Sequence, residues 1–151
     1  MSEASHTPST SAALRERIET SFVRQGMMRH LQARLVSVAP GEVEIALPYS
    51  ERVTQQQGGY HGGAMGALAD IAAGYAGLTC VEQGMEVATV EYKINFLAAF
   101  NDGELRARGH VVRAGKRLVI TTAEVVHLDA DGKESPCALM QQTLAVVKQT
   151  Y

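Results

Sequence analysis

Cysteine is scarce in this chain. The two present, Cys80 and Cys137, form no C-x-x-C pair. The N-terminus is not basic and then apolar, as a secretory leader would be. The expected compartment is therefore the cytoplasm, and the expected thiols are reduced and buried rather than bridged. His6, His30, His61, His110 and His127 are never at metal-ligand spacing with another His or Cys, so no metal is expected. The formal net charge is only −2. Such a balance gives no electrostatic case for binding nucleic acid or an anionic membrane. No internal repeat and no linker stands out. Gly58-Gly59 and Gly62-Gly63 are not followed by Gly-Lys-Ser/Thr, which excludes a phosphate loop. No serine sits in a Gly-x-Ser-x-Gly elbow. Cys80 is expected within an apolar helix without an adjacent basic partner, which argues against a cysteine nucleophile.

What is present centres on residues 62–81, where Asp70 is the only charged side chain. As a helix this run would extend roughly 30 Å. Leu68, Ile71, Tyr75 and Leu78 recur at helical spacing, while the neighbours of Asp70 on its own face are all Gly or Ala. Glycine in a helix costs on the order of 1 kcal/mol against alanine, so five of them imply that something approaches closely. A transmembrane span fits the length, and Gly62-x-x-x-Gly66 has the small-residue dimer spacing. But the run is Gly/Ala-rich, and a central aspartate costs roughly 2.5–3.5 kcal/mol on insertion scales. A buried helix fits better, with Asp70 either paired to a basic side chain or facing a cleft.

The remainder reads as one domain over residues 12–151, after a Ser/Thr/Ala/Pro-rich segment, 1–11, expected to be disordered. Residues 12–28 predict an amphipathic helix. Residues 31–38 and 43–47 predict a hairpin about Pro40-Gly41-Glu42. Alternation in residues 88–96 sets Ala88, Val90, Tyr92, Ile94 and Phe96 on one face and Thr89, Glu91, Lys93 and Asn95 on the other. With residues 104–113, 117–128 and 134–147, this predicts a four-strand meander joined by short turns. The fold class is α+β, a long central helix lying along the concave face of a strongly curved antiparallel sheet. The sheet covers one side of that helix, and a second chain or a ligand must cover the rest.

His61-Gly62-Gly63 opens the central helix. Unpaired N–H groups and a partial positive charge suit that end to an oxyanion, although His61 as a simple cap is the plainer alternative. Together with Gln55-Gln56-Gln57-Gly58-Gly59-Tyr60 before it and Asp70 within Ala69-Asp70-Ile71-Ala72-Ala73-Gly74-Tyr75-Ala76, this segment resembles the hotdog-fold acyl-CoA thioesterases of the PaaI-like family. The similarity runs from about residue 30 to the C-terminus and includes the Ala114-Gly115-Lys116 turn.

The resemblance implies hydrolysis of a small-to-medium, aryl or medium-chain acyl-CoA, with coenzyme A as part of the substrate and no separate cofactor. Asp70 matches the family's nucleophile or general base. The Gly62 N–H matches its oxyanion donor, within the His61–Gly63 turn that also binds substrate. Gln55 matches a position, commonly Asn, near the thioester carbonyl or the water. Thr89 matches a Ser/Thr that holds the water. The site forms across a homo-oligomer interface, in a dimer or a dimer of dimers (a homotetramer). Arg113, Lys116 and Arg117 cluster at one turn and match groups that contact the phosphates of coenzyme A, though a solvated hairpin tip fits them equally. Arg106 and Arg108 are expected in surface ion pairs, and Glu91 and Lys93 at the surface or in a dimer contact. Alanines 98 and 99 stand where the family usually has a proline, which leaves that turn's geometry open. Two other activities compete: a non-catalytic acyl-CoA or acyl-carrier binder, and a hydratase or dehydratase. The latter needs a His–acid pair, yet His61 and Asp70 are about 13 Å apart along one helix.

Overall fold

A computed structural model describes residues 11–151, so all but Ser11 of the expected tail lies outside the described residues. Helix α1 spans Ser11–Phe22, α2 Gly26–Leu31 and the central helix, α3, Gly62–Leu78. The strands are β1 Arg34–Ala39, β2 Glu42–Pro48, β3 Met85–Phe96, β4 Glu104–Ala114, β5 Leu118–Leu128 and β6 Glu134–Lys148. The N-terminal helix expected over 12–28 is thus two helices, and β1 begins three residues later than expected. Gln32 causes the delay. It caps α2 in the left-handed conformation at φ 60°, turning residues 31–33 away from strand geometry.

All six strands form one antiparallel sheet in the order β1-β2-β4-β5-β6-β3, with α3 packed against it in the hotdog arrangement. The order corrects the four-strand meander. β3 pairs with β6, not β4, so residues 97–103 carry the chain across to the other side of the sheet instead of turning a hairpin. β3 is consequently an edge strand. Val90, Tyr92, Phe96 and Leu97 are exposed along and just beyond it.

The core lies between α3 and the sheet. Leu68 and Leu78 of α3 pack in one cluster with the inward positions Ile45, Leu47 and Leu105, all fully or almost fully buried. Each such side chain contributes about 1.5–3 kcal/mol by leaving water. The small residues of α3 also make close packing possible. A Cβ on Gly77 would fall 2.4 Å from Leu144 Cδ1. Gly109 of β4 plays the reciprocal part, its Cα passing directly over the α3 backbone at Ala72. At the C-terminal end of α3, Arg17 of α1 donates to the carbonyls of Val81 at 3.0 Å and Met85 at 2.9 Å, and to Leu78 at 3.4 Å. Its positive charge lies where the helix presents negative partial charge. No helix among the described residues is long and apolar enough to cross a membrane.

Candidate active site

Asp70 lies midway along α3, and its carboxylate meets side chains from two strands. Thr89 of β3 donates its hydroxyl to Asp70 Oδ1 at 2.7 Å. Gln142 of β6 donates Nε2 to the same oxygen and lies 3.2 Å from Thr89 Oγ1. Gln142 is itself fixed from behind, because Thr121 Oγ1 of β5 donates to its Oε1 at 2.9 Å. Thr121 and Gln142 are both fully buried. A relay from β5 through β6 thus aims one amide N–H at the carboxylate and leaves Oδ2 without a protein donor among the described residues. No Lys, Arg or His pairs with Asp70 among the described residues. The buried ion pair open as an alternative from the sequence is therefore not what holds this aspartate.

A β-bulge brings Thr89 to that position. The register of β3 against β6 slips between Thr89 and Glu91, leaving Val90 as the extra residue. A bulge shifts the alternation by one. Thr89 before it and Tyr92 and Phe96 after it therefore all approach α3. The uninterrupted alternation expected from sequence had set Thr89 on the opposite face from Tyr92 and Phe96.

The structure places the remaining candidates elsewhere in the same chain. His61 is the N-cap of α3, and its Nδ1 accepts the Gly63 N–H at 2.7 Å. That bond occupies the Gly63 amide. The Gly62 N–H has no protein acceptor among the described residues. The Phe96 ring lies where a Gly62 side chain would start, with Cζ 3.1 Å from that point. Gln55 folds back into its own loop, its Oε1 accepting the Gln57 N–H. Gln55, His61 and Gly62 are absent from the cavity that opens beside Asp70. Eight residues of helix separate Gly62 from Asp70, about 12 Å along the axis. Arg113, Lys116 and Arg117 are exposed around the β4–β5 turn and make no ion pair among the described residues.

Arg106 and Arg108 do form the expected surface pairs, Arg106 with Glu44 and Glu104 and Arg108 with Glu44 and Glu134. Glu91 is exposed on β3 and accepts from Thr143 at 2.8 Å. Cys137 is buried as expected, and burial pushes its thiol up to about 11. Cys80 is a correction: it is exposed just beyond α3, where the helix has already ended, with Thr79 Oγ1 3.6 Å from its sulfur.

The Asp70 cavity measures about 160 Å3. Ile71, Val87 and Leu144 supply apolar wall, and Gly74 leaves space, since a Cβ there would meet nothing within 4 Å. In the same wall the Tyr75 hydroxyl lies 3.0 Å from Ser21 Oγ and accepts from Gln25 Nε2 at 2.8 Å. Burial pushes the Tyr75 phenol up, against the opposing effect of those two hydrogen bonds, so it remains a neutral donor.

A sequence model of the Thioesterase superfamily matches residues 57–132, the span holding the His61 cap, Asp70 and Thr89. The chain belongs to the thioesterase superfamily. This thioester hydrolase is 32% identical over 127 residues to acyl-coenzyme A thioesterase 13 of Homo sapiens, covering 83% of this chain and 89% of that protein. Among solved structures, a thioesterase family protein from Silicibacter pomeroyi superposes with a TM-score of 0.85 and 36% identity, over 90% of this chain and 99% of that one. The E. coli PaaI protein of the phenylacetic acid degradation operon superposes at 0.81 with 21% identity, over 93% and 97%, and shares the fold. Sequence reasoning reaches the family, and the structure brings two of its candidates, Asp70 and Thr89, into contact. That reasoning missed Gln142, although a glutamine at an inward position of β6, between buried Met140 and Leu144, was the available signal.

Proposed function

We propose that the protein hydrolyses small-to-medium acyl-CoA thioesters to the free acid and coenzyme A, with Asp70 as the reactive carboxylate. The observation that carries this reading is the Asp70 carboxylate itself. It has no cation partner among the described residues, is oriented through one oxygen by Thr89 and Gln142, and opens on a cavity. A carboxylate in that state can take a proton from water as the water oxygen attacks the thioester carbonyl carbon. Alternatively it attacks that carbon itself, and water then cleaves the resulting anhydride. In either route the C–S bond breaks and the coenzyme A thiolate leaves and takes up a proton. The carbonyl oxygen gains negative charge, which the Gly62 N–H at the positive end of α3 is suited to receive.

One chain cannot bring those two parts together, because α3 itself holds them about 12 Å apart. The reading therefore includes a homo-oligomer in which a second copy's Gly62 turn faces Asp70, with Gln55 beside the carbonyl. The exposed apolar residues along the unpaired β3 edge support that arrangement. Arg113, Lys116 and Arg117 are the basic groups available for the coenzyme A phosphates. His61 acts as a cap that shapes the turn, with Nδ1 already engaged. This weighs against a dehydratase, and release of thiol separates the enzyme from a non-catalytic binder. The test is a panel of acyl-CoAs of graded length with detection of free thiol, alongside sedimentation at micromolar protein. Thiol release by an oligomer supports the reading. No release from any thioester, or full activity in a 16.2 kDa monomer, overturns it.

A further inference from the structure

The cavity beside Asp70 is lined by groups of different chemistry. Ile71, Val87 and Leu144 are apolar wall, and Tyr75, Ser21 and Gln25 form a hydrogen-bonded polar cluster. A saturated acyl chain needs no such cluster. A tyrosine hydroxyl has one donor and two acceptor sites, and two contacts to Tyr75 are made within the protein, from Ser21 and Gln25. The Ser21 hydroxyl, with three sites of its own, meets both Tyr75 and the Tyr151 phenol. The cluster thus keeps free capacity while its members hold each other in place. The wall also carries two carboxylates, Asp70 and Glu86, and no basic side chain. Glu86 accepts from the Tyr151 hydroxyl, and Arg24 lies outside the cavity, 4.8 Å above the Tyr151 ring.

Size fixes the rest. At about 160 Å3 the cavity is close to the ~150 Å3 that holds one benzene. Asp70 and Tyr75 are about 7.5 Å apart along the helix axis, the reach of a chain of about six carbons. We propose that this cavity is the acyl pocket and that it selects a short acyl group, of about six carbons, ending in an uncharged hydroxyl. The hydroxyl replaces solvent at the Tyr75–Ser21–Gln25 cluster. A terminal carboxylate is rejected by Glu86. A substrate hydroxyl can use the sites the cluster leaves open, and a methyl terminus cannot. This inference rests on the thioesterase reading for its substrate, but its test is a binding measurement.

Dissociation constants for hexanoyl-CoA, 6-hydroxyhexanoyl-CoA and adipoyl-CoA are measured by calorimetry on the Asp70→Asn protein, in which turnover is slowed. The hydroxylated thioester should bind at least ten-fold more tightly than hexanoyl-CoA, and adipoyl-CoA most weakly. Adding Tyr75→Phe should bring the ratio of the first two to about one. If that variant does not fold, Gln25→Leu reads the same ratio. Equal affinities, or a preference that survives both changes, overturn the proposal. The two readings fail separately. A preserved affinity ratio without thiol release by the wild type removes the thioesterase reading and leaves the pocket. Equal affinities with thiol release from all three thioesters do the reverse.

Discussion

Gly109→Ala tests how closely β4 and α3 are fitted. A Cβ at this position would lie 2.3 Å from Ala72 O, 2.4 Å from its carbonyl carbon and 2.5 Å from Ala73 N. Carbon contacts settle at about 3.5–4.0 Å, so strand and helix must separate by about 1 Å. No rotamer change supplies that space, because both partners are main chain and Ala72 and Ala73 are fully buried. Overpacking of this kind costs about 1–3 kcal/mol and occasionally more. Lifting α3 also loosens Leu68 and Leu78, which places this substitution at the upper end, about 3 kcal/mol. At about 2–4 °C per kcal/mol for a domain of this size, Tm should fall by about 6–12 °C. Gly74→Ala is the control on the same helix. It meets nothing within 4 Å, and alanine is favoured there by about 0.8–1.0 kcal/mol, so Tm should rise by about 2–4 °C. Circular dichroism melts read both. A Gly109→Ala protein melting within about 2 °C of wild type would refute the close-packing argument.

Cys137 should resist a thiol reagent at pH 8 in the native protein while Cys80 reacts, and both should react in denaturant; equal native reactivity contradicts the burial described. Because burial raises the Cys137 thiol from 9.0 to about 11 in the folded state, its contribution to stability is complete below the unfolded value and is lost as pH rises through that interval. Cys137→Ser should flatten this part of a stability-against-pH curve. Lys116→Ala and Arg117→Ala should each raise KM for acyl-CoA several-fold with kcat nearly constant, and the penalty should shrink in high salt; an unchanged KM assigns the phosphates to other groups. Gln142→Met should lower kcat by removing one of the two donors to Asp70 and should cost about 1–3 kcal/mol through the Thr121 hydroxyl it strands; steady-state rates and urea melts check both.

The alternation of apolar residues gave the six strands and the central helix to within a few positions, because period-two and helical patterns are local properties. The pairing of β3 with β6 was not local. A turn-like Asn101-Asp102-Gly103 reads as a hairpin, but residues 97–103 are also long enough to cross the sheet. They bond to the loop before α3 instead, with Phe100 O accepting the Tyr60 N–H at 2.9 Å and Gly103 O accepting the Tyr49 N–H at 3.1 Å. The bulge at Val90 was equally hidden, since one unpaired residue leaves the composition of a strand unchanged while moving Thr89 to the other face. Asp70 was legible because a lone charge on a Gly/Ala face is a local anomaly. Gln142 acquires its role only through Thr121 on a neighbouring strand, and no spacing in the chain announces that contact.

The kcat of Asp70→Asn on an acyl-CoA that the wild type hydrolyses tests the central claim most directly, with a thermal melt of the same protein. Asparagine keeps the shape of the side chain, and its carbonyl oxygen can still accept from Thr89 and Gln142. Only the basic, nucleophilic carboxylate is lost. The account predicts a folded protein whose kcat falls by about 10²–10⁴-fold, the range for a general base. Turnover at the wild-type rate would contradict it, and so would a variant that does not fold, which would make Asp70 a structural residue of the core.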